Sequence, residues 1–343
     1  MYKEIFIKNF STLGRSIENA LQSADNNTLL DRAFEDSLRL NPLFTINMQH
    51  EALKIICKKF LNINCLHNWL TPYKELLFER ESTVGIVMAG NLPLVGFHDF
   101  LVTMASGSRA QIKLSGKDRL LPALFEMLCE INPYWRARVA FTEHLPENID
   151  LLIATGGEEA SKFFKSEYDE IPKIVRGSRS SIAILKGDET IDELRRLSDD
   201  IFLYYGMGCR SVSTLLVPFG YTFELLIEAF KNKENAITSE DYLSAYRYQK
   251  ALAAMNKSGY SDGGFYILRE HSSFPPPMGV LNVLTYRNVD QINEFIDSNK
   301  LHLQCVVNRK FNNSNIEFGE AQYPSLDEYA DGVNSLEFLL NNI

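Results

Sequence analysis

A thiol lies in a glycine-rich corner of the sequence, GMGCRS, residues 206–211. Cys209 follows Gly206 and Gly208 and precedes Arg210. A cysteine thiolate can act as the nucleophile of covalent catalysis, and small neighbours let a substrate carbonyl approach the backbone closely. A cysteine taken alone is more often a small buried hydrophobic residue. The interpretation of Cys209 as a candidate nucleophile therefore depends on its two glycine neighbours.

The same segment nearly matches the pattern Gly-x-Gly-x-x-Gly of dinucleotide-binding proteins. That pattern requires a strand before it and a helix after it, so that a phosphate meets the N-terminus of the helix. Here a helical pattern precedes the glycines, and the β-branched run SVSTLLVP, residues 211–218, follows them. Because the order of elements is reversed, we reject phosphate binding at this segment.

Polar side chains also follow two short apolar runs. Asn91 in GNLP, residues 90–93, is either an amide donor for a developing oxyanion or the N-cap of the next helix. Lys113, Ser115 and Lys117 belong to IKLSGKD, residues 112–118, at a predicted strand end. Open parallel sheets bind ligands at such ends, although a solvated charged loop has the same composition.

A third apolar run ends in ATGGEE, residues 154–159. Thr155, Gly156 and Gly157 come directly before a helical pattern, where backbone N–H groups could bind a pyrophosphate. Glu158 and Glu159 in the first turn of that helix disfavour an anion. A pyrophosphate site at these three residues is therefore one interpretation, and the two glutamates argue against it.

The elements that must position these residues alternate between strand and helix. We predict strands at 83–90, 110–114, 138–142, 149–155 and 181–186, and helices at 94–107 and 119–131 and from 157 onward. This alternation predicts a doubly wound parallel α/β sheet from about residue 83 to 186. Residues 1–80 have mostly helical patterns.

The segment 187–206 before the thiol has the clearest helical pattern of the chain. Thr190 and Glu193 form a predicted capping box at its start, and Gly206 is placed to cap its end. We therefore expect Cys209 just past a helix and just before a strand.

Composition limits the classes of function. A chain of 343 residues favours two domains, and its formal net charge of −9 argues against nucleic acid as a partner. No apolar run is long enough for a membrane span, and the polar start favours a cytoplasmic protein. The five cysteines are widely spaced and the six histidines scattered, which argues against disulfides and a structural zinc site.

The motifs GNLP, IKLS, ATGG and GMGC, in this order and spacing, resemble those of the aldehyde dehydrogenase superfamily. The stretches AGNLPLVGFHDFL, LQCVVNRK (303–310) and ADGVNSLEFL (330–339) look like its LuxC-type acyl-CoA reductases, the fatty acid reductase family. The resemblance covers residues 83–343. It implies an α/β fold of two doubly wound domains. We expect an N-terminal helical region with a cofactor domain (1–174), a catalytic thiol domain (175–310) and a segment (311–343) that returns to the first domain or to a partner subunit.

The resemblance also implies roles for the residues above. Cys209 would be the nucleophile, and Asn91 the oxyanion donor. Lys113 and Ser115 would hold the adenosine ribose, with Lys117 beside them, and the Thr155 motif would start the pyrophosphate helix. NADPH is expected over NADH, because Gly116 stands where relatives that use NAD carry a ribose-binding glutamate, and the two lysines offer cations to a 2′-phosphate.

Two departures from the superfamily bear on mechanism. Val175 stands where aldehyde dehydrogenases carry the glutamate that activates water. An acyl-enzyme of this chain should therefore resist hydrolysis and persist until a reactant other than water attacks it. Pro275, in SFPPPMGVL (273–281), stands at the nearest match to the glutamate that grips the nicotinamide ribose. The cofactor grip therefore differs from that of the superfamily.

Together these residues predict reduction of an acyl thioester, acyl-CoA or a related donor, to the aldehyde through a cysteine acyl-enzyme with NADPH. The resemblance implies a homodimer, and an acyl-transfer protein is a further candidate partner. Two alternatives stay open: a cofactor-independent cysteine acyltransferase or thioesterase, and a non-catalytic thioester-binding relic of the fold. Acyl length and the kind of thioester donor are likewise open.

Overall fold

Four helices form the N-terminal region of the computed structural model, which describes residues 2–23, 28–73, 80–271, 275–309 and 316–342. They are α1 (Tyr2–Gln22), α2 (Leu29–Leu40), α3 (Ile46–Lys59) and α4 (Ile63–Leu70). Thr28, Thr45 and Asn62 accept backbone N–H groups as the N-caps of α2, α3 and α4. The prediction that residues 1–80 are mostly helical is confirmed for their described part.

The first sheet has five strands in the order β3-β2-β1-β4-β5, all parallel. The strands are β1 (Thr83–Val87), β2 (Arg109–Lys113), β3 (Val139–Thr142), β4 (Leu151–Thr155) and β5 (Lys173–Arg176). The connecting helices are α5 (Phe97–Ser106), α6 (Leu120–Ile131) and α7 (Glu158–Glu167), with a short 3-10 helix (Pro133–Ala137) after α6. Because strand order reverses at β1, right-handed crossovers place α5 and α6 on one face and α7 on the other.

Side chains alternate between the two faces of this sheet, as the period of a strand requires. Ile86 and Ile153 belong to the large core that also contains the N-terminal helices. Leu152 and Ala154 belong to a smaller cluster with Phe164 of α7. Burial on both faces explains why these strands are continuous apolar runs in the sequence.

The second sheet has six strands in the order β11-β6-β7-β10-β9-β8. The strands are β6 (Ser180–Ile184), β7 (Val212–Pro218), β8 (Ser261–Asp262), β9 (Ile267–Glu270), β10 (Val280–Tyr286) and β11 (Leu303–Asn308). Its helices are α8 (Ile191–Phe202), α9 (Glu224–Phe230), α10 (Glu240–Met255) and α11 (Val289–Asn299), with a 3-10 helix at Lys231–Ala236. All pairs are parallel except β8 with β9.

The predicted extent of the first sheet is wrong at its C-terminal end. The strand predicted at 181–186 is β6, and it pairs with β7 and β11 of the second sheet. The fifth strand of the first sheet is instead β5, which pairs with β4 in the register Ala154↔Val175. A pattern of alternation along the chain contains no information on which strands exchange hydrogen bonds, so two consecutive sheets look like one.

The chain divides into two compact units, Met1–Ser178 with Pro324–Ile343, and Arg179–Tyr323. The boundary follows β5, whereas the predicted boundary between residues 174 and 175 cuts that strand. The C-terminal part contains a 3-10 helix (Ala330–Gly332) and α12 (Ser335–Asn341), and it belongs to the first unit. Trp69 Nε1 donates to Tyr329 Oη over 2.7 Å, and His98 Nε2 lies 3.0 Å from the Leu326 carbonyl oxygen.

None of the helices in the described part of the chain has the length and apolar character that crossing a bilayer requires. Within the same residues, no three or more His, Cys, Asp or Glu side chains are grouped in a way that could hold a metal ion.

Candidate active site

Three strands of the first unit end at the same edge of its sheet. The strand order reverses between β1 and β4, and open α/β sheets bind ligands outside the carboxyl ends of the strands at such a point. Seven of the predicted site residues end or follow β1, β2 and β4, and all belong to the first unit. They are Asn91, Lys113, Ser115, Lys117, Thr155, Gly156 and Gly157.

The loops after β1 and β2 touch each other. A Cβ atom added at Gly90 would lie 1.8 Å from Ser115 Oγ, so only glycine allows this approach. Ser115 Oγ also accepts the backbone N–H of Lys117 at 3.2 Å. The Ser115 hydroxyl therefore packs directly against Gly90, and this contact keeps the GNLP turn beside the IKLSGKD turn.

Asp118 joins the same two loops more strongly and was missed from the sequence. Its Oδ2 accepts the backbone N–H of Leu94 at 2.7 Å, and its Oδ1 accepts that of Leu120 at 2.9 Å. Burial raises the pKa of this carboxyl, while the two N–H donors act in the opposite direction. Leu94 has a left-handed φ of 56°, so the carboxylate holds a turn that an isolated peptide would disfavour.

Asn91 lies exposed in the turn after β1. Helix α5 begins at Phe97, and its N-cap is Gly96, which makes no side-chain capping bond. The alternative interpretation of Asn91 as the cap of this helix is therefore wrong. Asn91 therefore lies at the carboxyl-end edge of the sheet and is not the N-cap of α5.

Lys113 and Lys117 are the cations of this edge. Lys113 is the last residue of β2 and is half-buried, and Lys117 is exposed in the following turn. Neither ammonium forms an ion pair with any residue in the described ranges. Both charges are thus available to an anion.

The N-terminus of α7 follows Thr155, the last residue of β4. A Cβ atom at Gly156 would lie 2.8 Å from Ala160 Cβ, so glycine allows the helix to pack closely on its strand. Gly157 is the N-cap with no side-chain capping bond, and a Cβ there would meet nothing within 4 Å. No side chain caps this helix end and the space beside Gly157 is open, so the first N–H groups of α7 are candidates to bind a phosphate.

Two observations on the chain itself favour a dinucleotide at this edge, and one opposes it. The open glycine at the start of α7 admits a pyrophosphate, and the two unengaged lysines admit a further anionic group. Glu158 in the first turn opposes an anion, although it forms an exposed pair with Lys162 at 2.9 Å. These features of the first unit are compatible with a dinucleotide at this edge.

Cys209 lies in the second unit, at the corner between α8 and β7. The predicted capping box is confirmed, because Thr190 and Glu193 bond reciprocally at the start of α8. The helix ends at Phe202, four residues before the predicted end, and Tyr205 and Gly206 follow with left-handed φ values of 54° and 74°. The order helix, corner, strand confirms that GMGCRS is not a phosphate loop.

Cys209 is the only exposed cysteine of the five, all of which lie in the described ranges. Cys57, Cys129 and Cys305 are buried and Cys65 is half-buried. Burial raises the pKa of Cys57 to about 12, so that thiol is inert at neutral pH. Exposure therefore singles out the same thiol as the glycine pattern.

The corner is held by the backbone around the thiol. Ser181 Oγ donates to the Cys209 carbonyl oxygen at 2.8 Å and accepts the Cys305 N–H at 3.1 Å. The Ser211 N–H donates to the Gly208 carbonyl oxygen at 3.0 Å. These bonds leave the thiol exposed on a backbone that is fixed at both sides.

Val175, the position of the missing glutamate, lies in β5 of the first unit. Its side chain packs against the cluster of Leu152, Ala154 and Phe164. The next residue, Arg176, forms a buried ion pair with Asp99 of α5, with Nη1 2.7 Å from Oδ2. The prediction for Pro275 concerns a segment in which residues 272–274 lie outside the described part of the chain.

Comparison with known proteins shows which family this chain belongs to. The model of the acyl-CoA reductase (LuxC) family matches residues 48–315. The chain belongs to the acyl-CoA reductase (LuxC) family. No curated protein matches it significantly.

Solved structures similar to this LuxC family member are aldehyde dehydrogenases. Staphylococcus aureus AldH in its substrate-bound state has a TM-score of 0.53 and 19% identity, over 91% of this chain and 76% of that one. Aldehyde dehydrogenase 21 from Physcomitrella patens, in complex with the product succinate, has a TM-score of 0.64 and 12% identity, over 98% and 84%. P. syringae AldA indole-3-acetaldehyde dehydrogenase, solved with NAD+, has a TM-score of 0.56 and 12% identity, over 90% and 77%. The predicted fold of two α/β domains is confirmed.

Proposed function

We propose that this LuxC family member reduces an acyl thioester to the aldehyde through an acyl-enzyme on Cys209, with NADPH as the reductant. The observation that carries the proposal is the exposed thiol of Cys209 at a helix–strand corner, in a chain of the acyl-CoA reductase family. Family membership supports an acyl substrate. The cysteine mechanism and the choice of NADPH are our inference from the residues.

The first step is nucleophilic. The Cys209 Sγ thiolate attacks the thioester carbonyl, a new C–S bond forms to Cys209, and the donor thiol leaves as a thiolate that takes up a proton. The bond from Ser181 to the Cys209 carbonyl anchors the backbone of the attacking residue, and the chain turns just before it at Gly206 with a left-handed φ. Glycine at positions 206 and 208 adds no side chain that would obstruct the incoming carbonyl.

The first unit would hold the dinucleotide. Gly156 and Gly157 at the start of α7 would bind the pyrophosphate with Thr155 beside them, while Lys113 and Ser115 would bind the ribose and Lys117 its 2′-phosphate. When bound, the reduced nicotinamide supplies the hydride that turns the acyl-enzyme into a thiohemiacetal.

The residues of the chain would then release the product. The Asn91 amide and backbone N–H groups stabilise the thiohemiacetal oxyanion, which collapses to the aldehyde and returns the electron pair to Cys209 Sγ. Val175 has an apolar side chain, packed among apolar residues, and so offers no carboxylate to activate water. The acyl group is thus protected from hydrolysis until it is reduced.

A cofactor-independent acyltransferase is the second candidate. Glu158 and Glu159 in the first turn of α7 oppose an anion, and Pro275 replaces the glutamate of the ribose grip. This candidate retains the acyl-enzyme but transfers the acyl group to another nucleophile. The relic of the fold would form no acyl-enzyme.

One experiment separates the three. The protein is mixed with acyl-CoA esters of several chain lengths, with and without NADPH, and NADPH oxidation and intact mass are followed together. The reductase forms an adduct that disappears when NADPH is added, as NADPH is oxidised in equal amount. The acyltransferase forms an adduct that NADPH does not change. The relic forms no adduct, and that result would overturn the proposal.

A further inference from the structure

A loop from the end of the second unit contacts the Cys209 corner. This segment, residues 317–322, is called the 317–322 loop below. Asp200 of α8 is fully buried, and its Oδ2 accepts the Gly319 N–H at 2.6 Å. Its Oδ1 accepts the Ala321 N–H at 2.9 Å. Both oxygens of one buried carboxylate are thus used to hold the loop against α8.

The other side of the loop bonds to the two residues that follow Cys209. Arg210 Nε donates to the Ala321 carbonyl oxygen. Gln322 Nε2 lies 3.3 Å from Ser211 Oγ and 3.3 Å from the Asp200 carbonyl oxygen, and it donates to both. The loop therefore connects α8, which precedes the thiol, with Arg210 and Ser211, which follow it.

The loop fits against α8 without spare room. Gly319 has a left-handed φ of 89°, and a Cβ atom there would lie 3.0 Å from Arg196 Cβ and 3.4 Å from the Arg196 carbonyl oxygen. A side chain at this position would meet both a strained backbone and the helix. A change at Gly319 must move the loop away from α8.

A buried carboxylate is costly unless donors satisfy it, and two backbone donors do so here. We propose that Asp200 is a positioning residue for Cys209, which it holds in its reactive conformation through the 317–322 loop. The proposal rests on the proposed function in one respect, that Cys209 is the nucleophile. Chemistry at the thiol needs accurate placement, since a shift of about 1 Å can cost roughly 100-fold in rate.

Two variants test the proposal from opposite sides of the contact. Asp200→Asn keeps the shape of the side chain and places an NH2 group against a backbone N–H. Gly319→Ala leaves every polar group in place and displaces the loop. The matched control is Gly332→Ala, because Gly332 has a left-handed φ of 70° with nothing within 4 Å of an added Cβ, and it lies in the first unit. All variants carry Cys65→Ser, so that Cys209 is the reactive thiol.

Two reactions of the same thiol are compared in protein shown to be folded by circular dichroism. Acylation of Cys209 by acyl-CoA needs correct placement, whereas alkylation by iodoacetamide needs only exposure. We expect acylation to fall about 10- to 100-fold in Asp200→Asn and Gly319→Ala, with alkylation changed by less than about threefold. Gly332→Ala should match the parent protein, which carries only Cys65→Ser, in both reactions. A destabilised protein would lose acylation only in proportion to its unfolded fraction.

Unchanged acylation in the two folded variants would overturn the proposal.

If the parent is alkylated but not acylated, the proposed function fails, and the positioning role is then decided by hydrogen exchange. The Met207 N–H bonds the Tyr204 carbonyl and the Ser211 N–H bonds the Gly208 carbonyl. Their exchange should be about tenfold or more faster in both variants, corresponding to about 1.4 kcal/mol. Parent-like exchange at these amides, with faster exchange in the 317–322 loop, would refute the role. If Asp200→Asn does not fold, Gly319→Ala decides alone.

Discussion

Ser181 Oγ donates a 2.8 Å hydrogen bond to the carbonyl oxygen of Cys209 and so ties β6 to the residue that carries the exposed thiol. The same oxygen accepts the N–H of Cys305 in β11 at 3.1 Å. Three segments of the second unit thus meet at one hydroxyl group.

Removal of this hydroxyl should loosen the corner. Ser181→Ala leaves the Cys305 N–H without its acceptor, and we expect a loss of about 1–3 kcal/mol in the free energy of unfolding. Cys209 acylation should fall as well, which stopped-flow measurement of thiol release from acyl-CoA would show. The matched control is Ser106→Ala, which removes a buried hydroxyl that bonds the Thr103 carbonyl in the first unit. Equal acylation rates in both variants would contradict a role for Ser181 at the thiol.

The covalent step should depend on one cysteine. Cys209→Ala is expected to abolish the acyl-enzyme that intact mass spectrometry detects, because no other cysteine is exposed. Cys65→Ala, which removes a half-buried thiol, should acylate at the rate of the unaltered chain. Retention of more than a few percent of turnover in Cys209→Ala would show that another group carries the acyl chain.

Asn91 should affect turnover and not stability. Loss of one oxyanion donor typically costs about 100- to 1,000-fold in turnover, so Asn91→Ala should show a decrease of this size. Its melting temperature should stay near that of the unaltered chain, because α5 is not capped by Asn91. The control is Asn62→Ala, which removes a true N-cap of α4 and should lose about 1 kcal/mol with normal turnover. A stability loss without a rate loss in Asn91→Ala would refute the oxyanion role.

Lys117 should distinguish the two nicotinamide cofactors. A charge-assisted contact to a phosphate is worth about 1.5–3 kcal/mol, so Lys117→Ala should weaken NADPH binding roughly 10- to 100-fold. NADH lacks the 2′-phosphate and should bind as before. Fluorescence titration of both cofactors measures this, with the exposed Lys54→Ala as control. Equal losses for both cofactors, or tighter binding of NADH to the unaltered chain, would disprove the assignment.

Asp200 should make stability depend on pH. Burial, with Asp199 and Glu320 nearby, raises the pKa of this carboxyl from 3.8 to about 7, although the N–H groups of Gly319 and Ala321 oppose the rise. The folded chain therefore holds the proton more tightly than the unfolded chain. The contribution of Asp200 to stability is greatest below pH 3.8, declines as pH rises to about 7, and is constant above.

Asp200→Asn does not titrate and should lack this decline. Urea unfolding of both proteins at several pH values between about 4 and 8 measures the difference in their free energies of unfolding. We expect that difference to change steadily up to about pH 7 and then to level off. Parallel pH profiles for the two proteins would show that Asp200 keeps an ordinary pKa.

Local patterns in the sequence were sufficient for much of the fold. The capping box of Thr190 and Glu193 and Gly107 as the left-handed end of α5 depend on bonds within a few residues. The strands appear in the sequence as short apolar runs because both faces of their sheet are buried. The order of motifs was sufficient for the family. The sequence also indicates that Asn91, Lys113 and Thr155 lie near strand ends. Parallel strands joined by helices bring those ends to one edge of the sheet.

Tertiary structure alone decided which distant groups share a hydrogen bond. Alternation could not show that β5 closes the first sheet and β6 opens the second, nor that Asp118 would bond Leu94. Asp200 finds its partner Ala321 at a separation of 121 residues. An acidic residue that bonds to residues near it in the sequence can be recognised from its spacing to those residues. A buried acid whose partners are remote backbone N–H groups has no such signal, because those donors occur at every residue and only packing brings them to the carboxylate.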